Sequence, residues 1–394
     1  MSLLSPRIEG YIERSSWIRK MFETGAELKK KLGADNVFDF SLGNPDLPPP
    51  PGVKAALQDI VAKADAPLAF GYVPNAGLPA ARSALADHLS TEQKAPLTAA
   101  NVIVTCGAAG ALNTFFHAVL EPGDEVVCPA PYFVEYGFYA ANHGGALVVA
   151  ASTEFTFELD VAAIEAVITP KTRAVLVNSP NNPSGQIYTA EQLASLADLL
   201  RAKSAEHGRP IFLLSDEPYR FLTYDNVEVP PILPLYEHSV VMGSFSKSLS
   251  LAGERVGYIA LNPGMTGGDT LLAGLVLCNR ILGFVNAPVI GQIIVTEALR
   301  DGVDVSVYDD RRRSMAAILD DVGIDYTMPK GAFYFFPKAP GGDDLAFVNQ
   351  LLAENILAVP GRGFGCPGYF RLTFCMDKAI IERSHDAFAR AMKS

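Results

Sequence analysis

Short apolar runs alternate with longer stretches of helical periodicity between about residues 50 and 300. The runs at 102–105, 124–128, 146–150, 173–178, 210–214, 239–243 and 256–260 are rich in Val, Ile and Leu, as buried strands are. Segments between many of them place apolar residues at three- and four-residue steps. Ala190 to Lys203 is an example, and that spacing lays one face of a helix against a core. Alternating strand and helix predicts an α/β fold with a mostly parallel sheet covered on both faces. Periodicity does not give the strand order.

Beyond residue 300 the pattern changes. A charged helix is predicted near Val305 to Asp321. Strands follow at Phe333–Phe336, Leu357–Val359 and Tyr369–Phe374, and a last helix runs from Lys378 to Met392. That is a smaller α+β unit. The run Pro48–Pro51 reads as a stiff connector, and no internal repeat is visible.

With 394 residues, 49% hydrophobic and 19% charged, the chain suits a large buried core and not disorder. Its net charge of −11 comes with no basic block, so nucleic acid is not an expected partner. Five cysteines without Cys-x-x-Cys spacing lie in apolar contexts, which predicts buried free thiols in a reducing compartment. The six histidines form no metal-ligand pattern, so no metal is expected. Arg7, Glu9, Glu13 and Arg14 near the start do not fit a secretory signal, and no run of 18 apolar residues predicts a membrane span. A cytoplasmic protein is the expectation.

Candidate chemistry concentrates just past the ends of predicted strands, where open α/β sheets build ligand sites. Lys247 follows Ser244-Phe245-Ser246, and Arg255 lies eight positions on in Gly253-Glu254-Arg255-Val256-Gly257. Two hydroxyls, an amine and a guanidinium can grip a phosphate and offer nitrogen to an aldehyde carbon, the demands of pyridoxal 5′-phosphate (PLP). A solvated surface lysine is the bland alternative. The strand Phe212-Leu213-Leu214 runs into Ser215-Asp216-Glu217-Pro218-Tyr219. Neighbouring strand residues point to opposite faces, so only one of Asp216 and Glu217 can serve a given site. Two further segments are Asn178-Ser179-Pro180-Asn181-Asn182-Pro183-Ser184-Gly185 and Thr105-Cys106-Gly107-Ala108-Ala109-Gly110.

Together these segments resemble the class I/II aminotransferases, aspartate aminotransferase-like PLP enzymes of fold type I, from about Phe40 to Thr373. The resemblance implies a seven-stranded, mostly parallel sheet with 256–260 as its antiparallel member. It implies residues 1–46 as an N-terminal arm and part of a small domain, 47–290 as the large PLP-binding domain, and 291–394 as a long linking helix and the rest of the small domain. It implies that Lys247 forms the Schiff base with PLP and moves the substrate proton, while Asp216 pairs with the pyridine nitrogen. Tyr219 and Asn182 would tune the ring oxygen. Phe133, in Pro131-Tyr132-Phe133, would stack on the ring. Ser244, Ser246, Arg255 and the amides of Ala108 and Ala109 would hold the phosphate, joined by Tyr72 from a partner subunit. Arg371 would bind the substrate α-carboxylate, with Gly43 and Asn182 beside it. The expected protein is a homodimer with shared active sites, acting by a ping-pong mechanism on small-molecule substrates, an L-amino acid and a 2-oxo acid such as 2-oxoglutarate.

The chain departs from aspartate-specific members in having Ala109 where some carry a lysine. Arg280 lies one residue off the place of another side-chain-binding arginine, and Arg19 is a second candidate, so aspartate stays one possible donor. A cysteine-S-conjugate β-lyase on the same fold is the alternative activity. A regulatory effector domain is a third reading, disfavoured by the absence of a basic patch.

Overall fold

The computed structural model describes residues 3–393; the side chains of 13–23, 26 and 34 lie outside the described residues. Its strands are β1 Phe38–Asp39, β2 Val102–Thr105, β3 Glu125–Pro129, β4 Ala146–Ala150, β5 Thr172–Asn178 and β6 Phe212–Asp216. They continue as β7 Ser239–Ser244, β8 Gly257–Leu261, β9 Tyr334–Phe335, β10 Ile356–Leu357, β11 Val359–Pro360 and β12 Phe370–Thr373.

Seven of them form one sheet in the order β2-β8-β7-β6-β5-β3-β4. β8 runs antiparallel to both β2 and β7, and the remaining pairs are parallel. Each predicted run in this region becomes a strand, shifted by two residues at most. The continuous apolar character follows from burial on both faces. Val175, Val177 and Val241 enter one core with Leu193, Leu196 and Leu200 of the helix Ala190–His207. Ala174, Leu176, Val240 and Met242 enter another, with Phe115 and Phe116 of the helix Gly107–Val119. The parallel strands β5, β6 and β7 therefore end along one edge with Asn178, Asp216 and Ser244.

The smaller unit has a separate core, including Phe40, Tyr308, Phe333, Phe335, Phe347, Phe370 and Phe388. Around it β1 pairs with β10, and β11-β12-β9 form an antiparallel sheet. Three expectations change here. The strand expected at Leu357–Val359 is two strands in two sheets, broken at Ala358, because β10 turns to β1 while β11 turns to β12. The last helix is two, Lys378–Arg383 and His385–Ala391. Between them the Ser384 hydroxyl donates to the Ile381 carbonyl at 2.6 Å, competing with the helical ladder. The single long linking helix is also two, Val289–Ala298 and Val305–Val322. The second starts anew on Asp304, whose carboxylate accepts the Ser306 amide at 2.9 Å.

All five cysteines are free, although Cys106 and Cys366 are only partly buried. Among the described residues no helix is long and apolar enough to cross a membrane, and no group of three or more His, Cys, Asp or Glu could hold a metal ion.

Candidate active site

The carboxyl ends of β5, β6 and β7 open into a cavity of about 360 Å³ whose wall also takes residues from the smaller unit. Asn178, Asn182, Asp216, Tyr219, Ser244, Ser246, Lys247 and Arg255 line it from the large sheet. Gly43, Tyr334 and Arg371 line it from the other side, and Ala108, Ala109 and Phe133 complete the expected set.

Lys247 sits on the short helix Phe245–Ser248 directly after β7. Its Nζ donates to the Gly43 carbonyl at 2.6 Å and lies 5.5 Å from the centre of the Phe333 ring. Burial lowers its pKa to about 8; nearby Cys375 opposes the shift, and the charges of Arg371 and Arg255 add to it. A tenth or so of such an amine is neutral at pH 7, far more than for an exposed lysine.

Asp216 ends β6 at 5% exposure. Its Oδ2 accepts the Tyr136 hydroxyl at 2.6 Å, and its Oδ1 is buried without a partner. Burial raises the carboxyl to about 7; the Tyr136 bond opposes this and the Glu217 charge adds to it. Glu217 turns to the opposite face, as strand geometry requires. There it is saturated by Ser215 at 2.7 Å, Gln93 at 2.9 Å and Arg220 at 2.9 Å. The sheet thus separates the two carboxylates, one fully paired and one with an oxygen open to a ligand.

Arg255 adopts a left-handed backbone, φ 54°, and donates to Ser246 Oγ at 3.4 Å and to the Ala252 carbonyl at 3.0 Å. Gly107, at φ 71°, lies against it: a Cβ there would stand 2.6 Å from Arg255 Nη2. Ala108 and Ala109 follow in the first turn of Gly107–Val119, where free amides and the helix dipole favour an anion.

Arg371, on β12, donates to Asn182 Oδ1 at 2.9 Å and to the Ser41 carbonyl, while its Nε is buried and unpartnered. Its guanidinium lies 4.7 Å from the Tyr334 ring centre and 4.9 Å from that of Phe364. Asn182 is held in turn by its amide, which donates to Asn178 Oδ1 at 2.7 Å. The hydroxyls of Tyr219 and Tyr334 stand 3.0 Å apart. Burial, then the Tyr334 contact, pushes the Tyr219 phenol well above its usual range. A Cβ on Gly43 would collide with the Tyr334 hydroxyl and ring and lie 2.8 Å from Phe333, so only glycine lets this backbone approach the cavity.

Two candidates are not brought into this space. Tyr72 is 94% exposed, and Arg280 is exposed near the end of the helix Gly268–Ile281. The side chain of Arg19 lies outside the described residues. Sequence reasoning missed Asn178, Tyr136, Tyr334, Glu135 and Tyr139. Asn178 carried a usable signal, since it ends β5 as Asp216 ends β6. Tyr136 lies three residues after Phe133, one helical turn along. Tyr334 carried none, because nothing local ties it to residues more than a hundred positions away.

An amine of lowered basicity, a buried carboxylate with a free oxygen and an anion cradle around Arg255 are what a PLP enzyme of fold type I presents. The model for aminotransferase class I and II matches residues 35–388, and this chain belongs to that family, whose members use PLP. It is 32% identical to the aspartate/prephenate aminotransferase of Thermus thermophilus over 376 residues, 92% of each chain. It is 31% identical to the aspartate aminotransferase of Geobacillus stearothermophilus over 384 residues, 92% of this chain and 93% of that one. Among solved structures, an amino transferase from Eubacterium rectale is 36% identical, with a TM-score of 0.95 over 100% of this chain and 99% of the other.

Proposed function

We propose that this aminotransferase uses Lys247 as the cofactor-bearing and proton-moving group, on small-molecule amino acids and 2-oxo acids. The observation that carries the reading is the pairing, in one cavity, of a half-buried amine of pKa about 8 with a buried carboxylate that has one oxygen free. The residues fit PLP on their own chemistry. Asp216 Oδ1 lacks a donor that a protonated ring nitrogen would supply, and Gly107 leaves room against Arg255 for a phosphate. Bound there, the cofactor supplies an electron sink for the substrate α-carbon.

Arg255, Ser244, Ser246 and the amides of Ala108 and Ala109 would hold the phosphate, and Phe133 would cover the ring. Asn182 and Tyr219 would donate to the ring oxygen. Arg371 grips the α-carboxylate, and Gly43 lets the backbone approach it. That grip would orient the Cα–H bond toward Lys247 Nζ, which would accept and hold the α-proton. Tyr72 reaches the phosphate of a second copy, making a homodimer with shared sites. The exposed apolar side chains Leu68, Phe70, Leu277 and Ile281 support a covered face. The two cores support a division in outline, although Ile294, Val295, Ala298 and Leu299 pack in the large one and Tyr219, Leu222 and Tyr224 in the small one, and five free thiols support a cytoplasmic location.

The names of the relatives make aspartate one donor to examine, with 2-oxoglutarate as an acceptor. Spectroscopy of single half-reactions tests the activity. A transaminase leaves pyridoxamine phosphate after one amino acid, whereas a C–S β-lyase releases pyruvate and ammonia.

A further inference from the structure

Among the described residues five charged side chains border the cavity: Glu135, Asp216, Lys247, Arg255 and Arg371. The function proposed above employs four of them and leaves Glu135 without a task. Glu135 is the first residue of the helix Glu135–Asn142, and its Oε2 is buried with no hydrogen-bond partner. Natural proteins rarely leave a buried carboxylate oxygen unmatched unless a ligand, ion or water completes it or it has a catalytic role. Arg371 lies near enough for its charge to act on Glu135, yet its hydrogen bonds go to Asn182 and Ser41. Arg371 and Glu135 line the same cavity, so the side chain of an amino acid whose α-carboxylate is held by Arg371 shares its space with Glu135.

We propose that Glu135 is a specificity-determining residue, reading the end of the substrate side chain and favouring one that ends in a hydrogen-bond donor over one that ends in a carboxylate. The inference rests on the aminotransferase reading. An amide, hydroxyl or ammonium group would supply the donor that Oε2 lacks. A second carboxylate would bring an acceptor and no donor to Oε2, while the three cations that border the cavity among the described residues are committed to the cofactor and the α-carboxylate. Ala109 adds no charge to that wall.

The test uses the PLP-loaded enzyme and two near-isosteric pairs, asparagine with aspartate and glutamine with glutamate. In each pair the amide should convert the cofactor to its amine form with the higher kcat/KM. Glu135→Gln should lower the amide-to-acid ratio about tenfold, the scale of losing a hydrogen bond to a charged group. An acid that outruns its amide in the wild type, or a ratio unchanged in Glu135→Gln, overturns the inference. Binding without turnover gives a second readout: calorimetry should find succinamate tighter than succinate, with the preference lost in Glu135→Gln. Equal binding of the two by the wild type also overturns it. If no amino acid converts the cofactor, the aminotransferase reading fails, while the calorimetric comparison still judges Glu135.

Discussion

The hydroxyl of Tyr136 donates to Oδ2 of Asp216 at 2.6 Å and leaves Oδ1 of the same carboxylate buried and alone. One residue on, Glu217 has donors on both oxygens. The folded protein therefore carries one satisfied carboxylate and one poised for a ligand. The unsatisfied one costs stability until something binds it.

Asp216→Asn should expose that cost. In the cofactor-free protein it keeps the shape and the Tyr136 contact, removes the charge, and should raise stability at pH 8 by about 1–3 kcal/mol in denaturant unfolding. The sign of the pH dependence follows from a folded pKa of about 7 against the ordinary aspartate value of 3.8. The folded form holds the proton more tightly, so this contribution is complete below the unfolded value and is lost as pH rises through about 7. The variant should lack that decline. Its turnover with PLP should drop by at least about a hundredfold, because an amide cannot hold the ring nitrogen protonated by charge. Near wild-type turnover here, with none in Glu217→Gln, would name the other carboxylate.

Borohydride reduction and peptide mapping should place the pyridoxyl group on Lys247. Lys247→Ala should retain PLP but lose at least about a thousandfold in turnover, the combined loss of a covalent and a proton-transfer group. The neutral amine is the nucleophile, so capture of PLP by the apoprotein should speed up as pH rises through about 8 and then level off. A rate that climbs steadily to pH 10 would show an ordinary exposed lysine at work.

Gly43→Ala should misplace both Tyr334 and the carbonyl that holds Lys247, because its Cβ would meet Tyr334 and Phe333. Overpacking of this kind costs about 1–3 kcal/mol. KM for amino donors should rise more than the melting temperature falls would explain. An unchanged KM would remove Gly43 from the substrate site.

Tyr72→Phe should weaken PLP binding by about 1 kcal/mol, the net worth of one hydrogen bond. Mixed with Lys247→Ala protomers, it should form hybrid dimers in which one site joins a wild-type lysine to a wild-type tyrosine of the other chain. That site should bind PLP better than the Tyr72→Phe homodimer does. A fully active monomer in sedimentation would refute sharing. Arg280→Ala belongs to the same experiment: if it raises KM for aspartate and alanine equally, it plays no part in reading side chains.

Much of the large sheet was legible because its strands are buried on both faces. Val175 and Val177 enter one core while Ala174 and Leu176 enter the other, so the whole segment must be apolar and stands out. Lys247, Asp216, Asn182 and Arg255 were legible because chemistry in such folds gathers where strands end, and the ends could be located. The opposed directions of Asp216 and Glu217 followed from the two-residue period of a strand. The split at Ala358 could not be read, since two adjacent apolar dipeptides look like one strand until their partners in different sheets are known. Nor could the meeting of Tyr334 with Tyr219, of Tyr136 with Asp216, or of Arg371 with Asn182, 189 positions away. Local periodicity reports which face of an element is buried, not which distant side chain it will meet. Packing between the two units closed the cavity and left Glu135 inside it with an oxygen to spare.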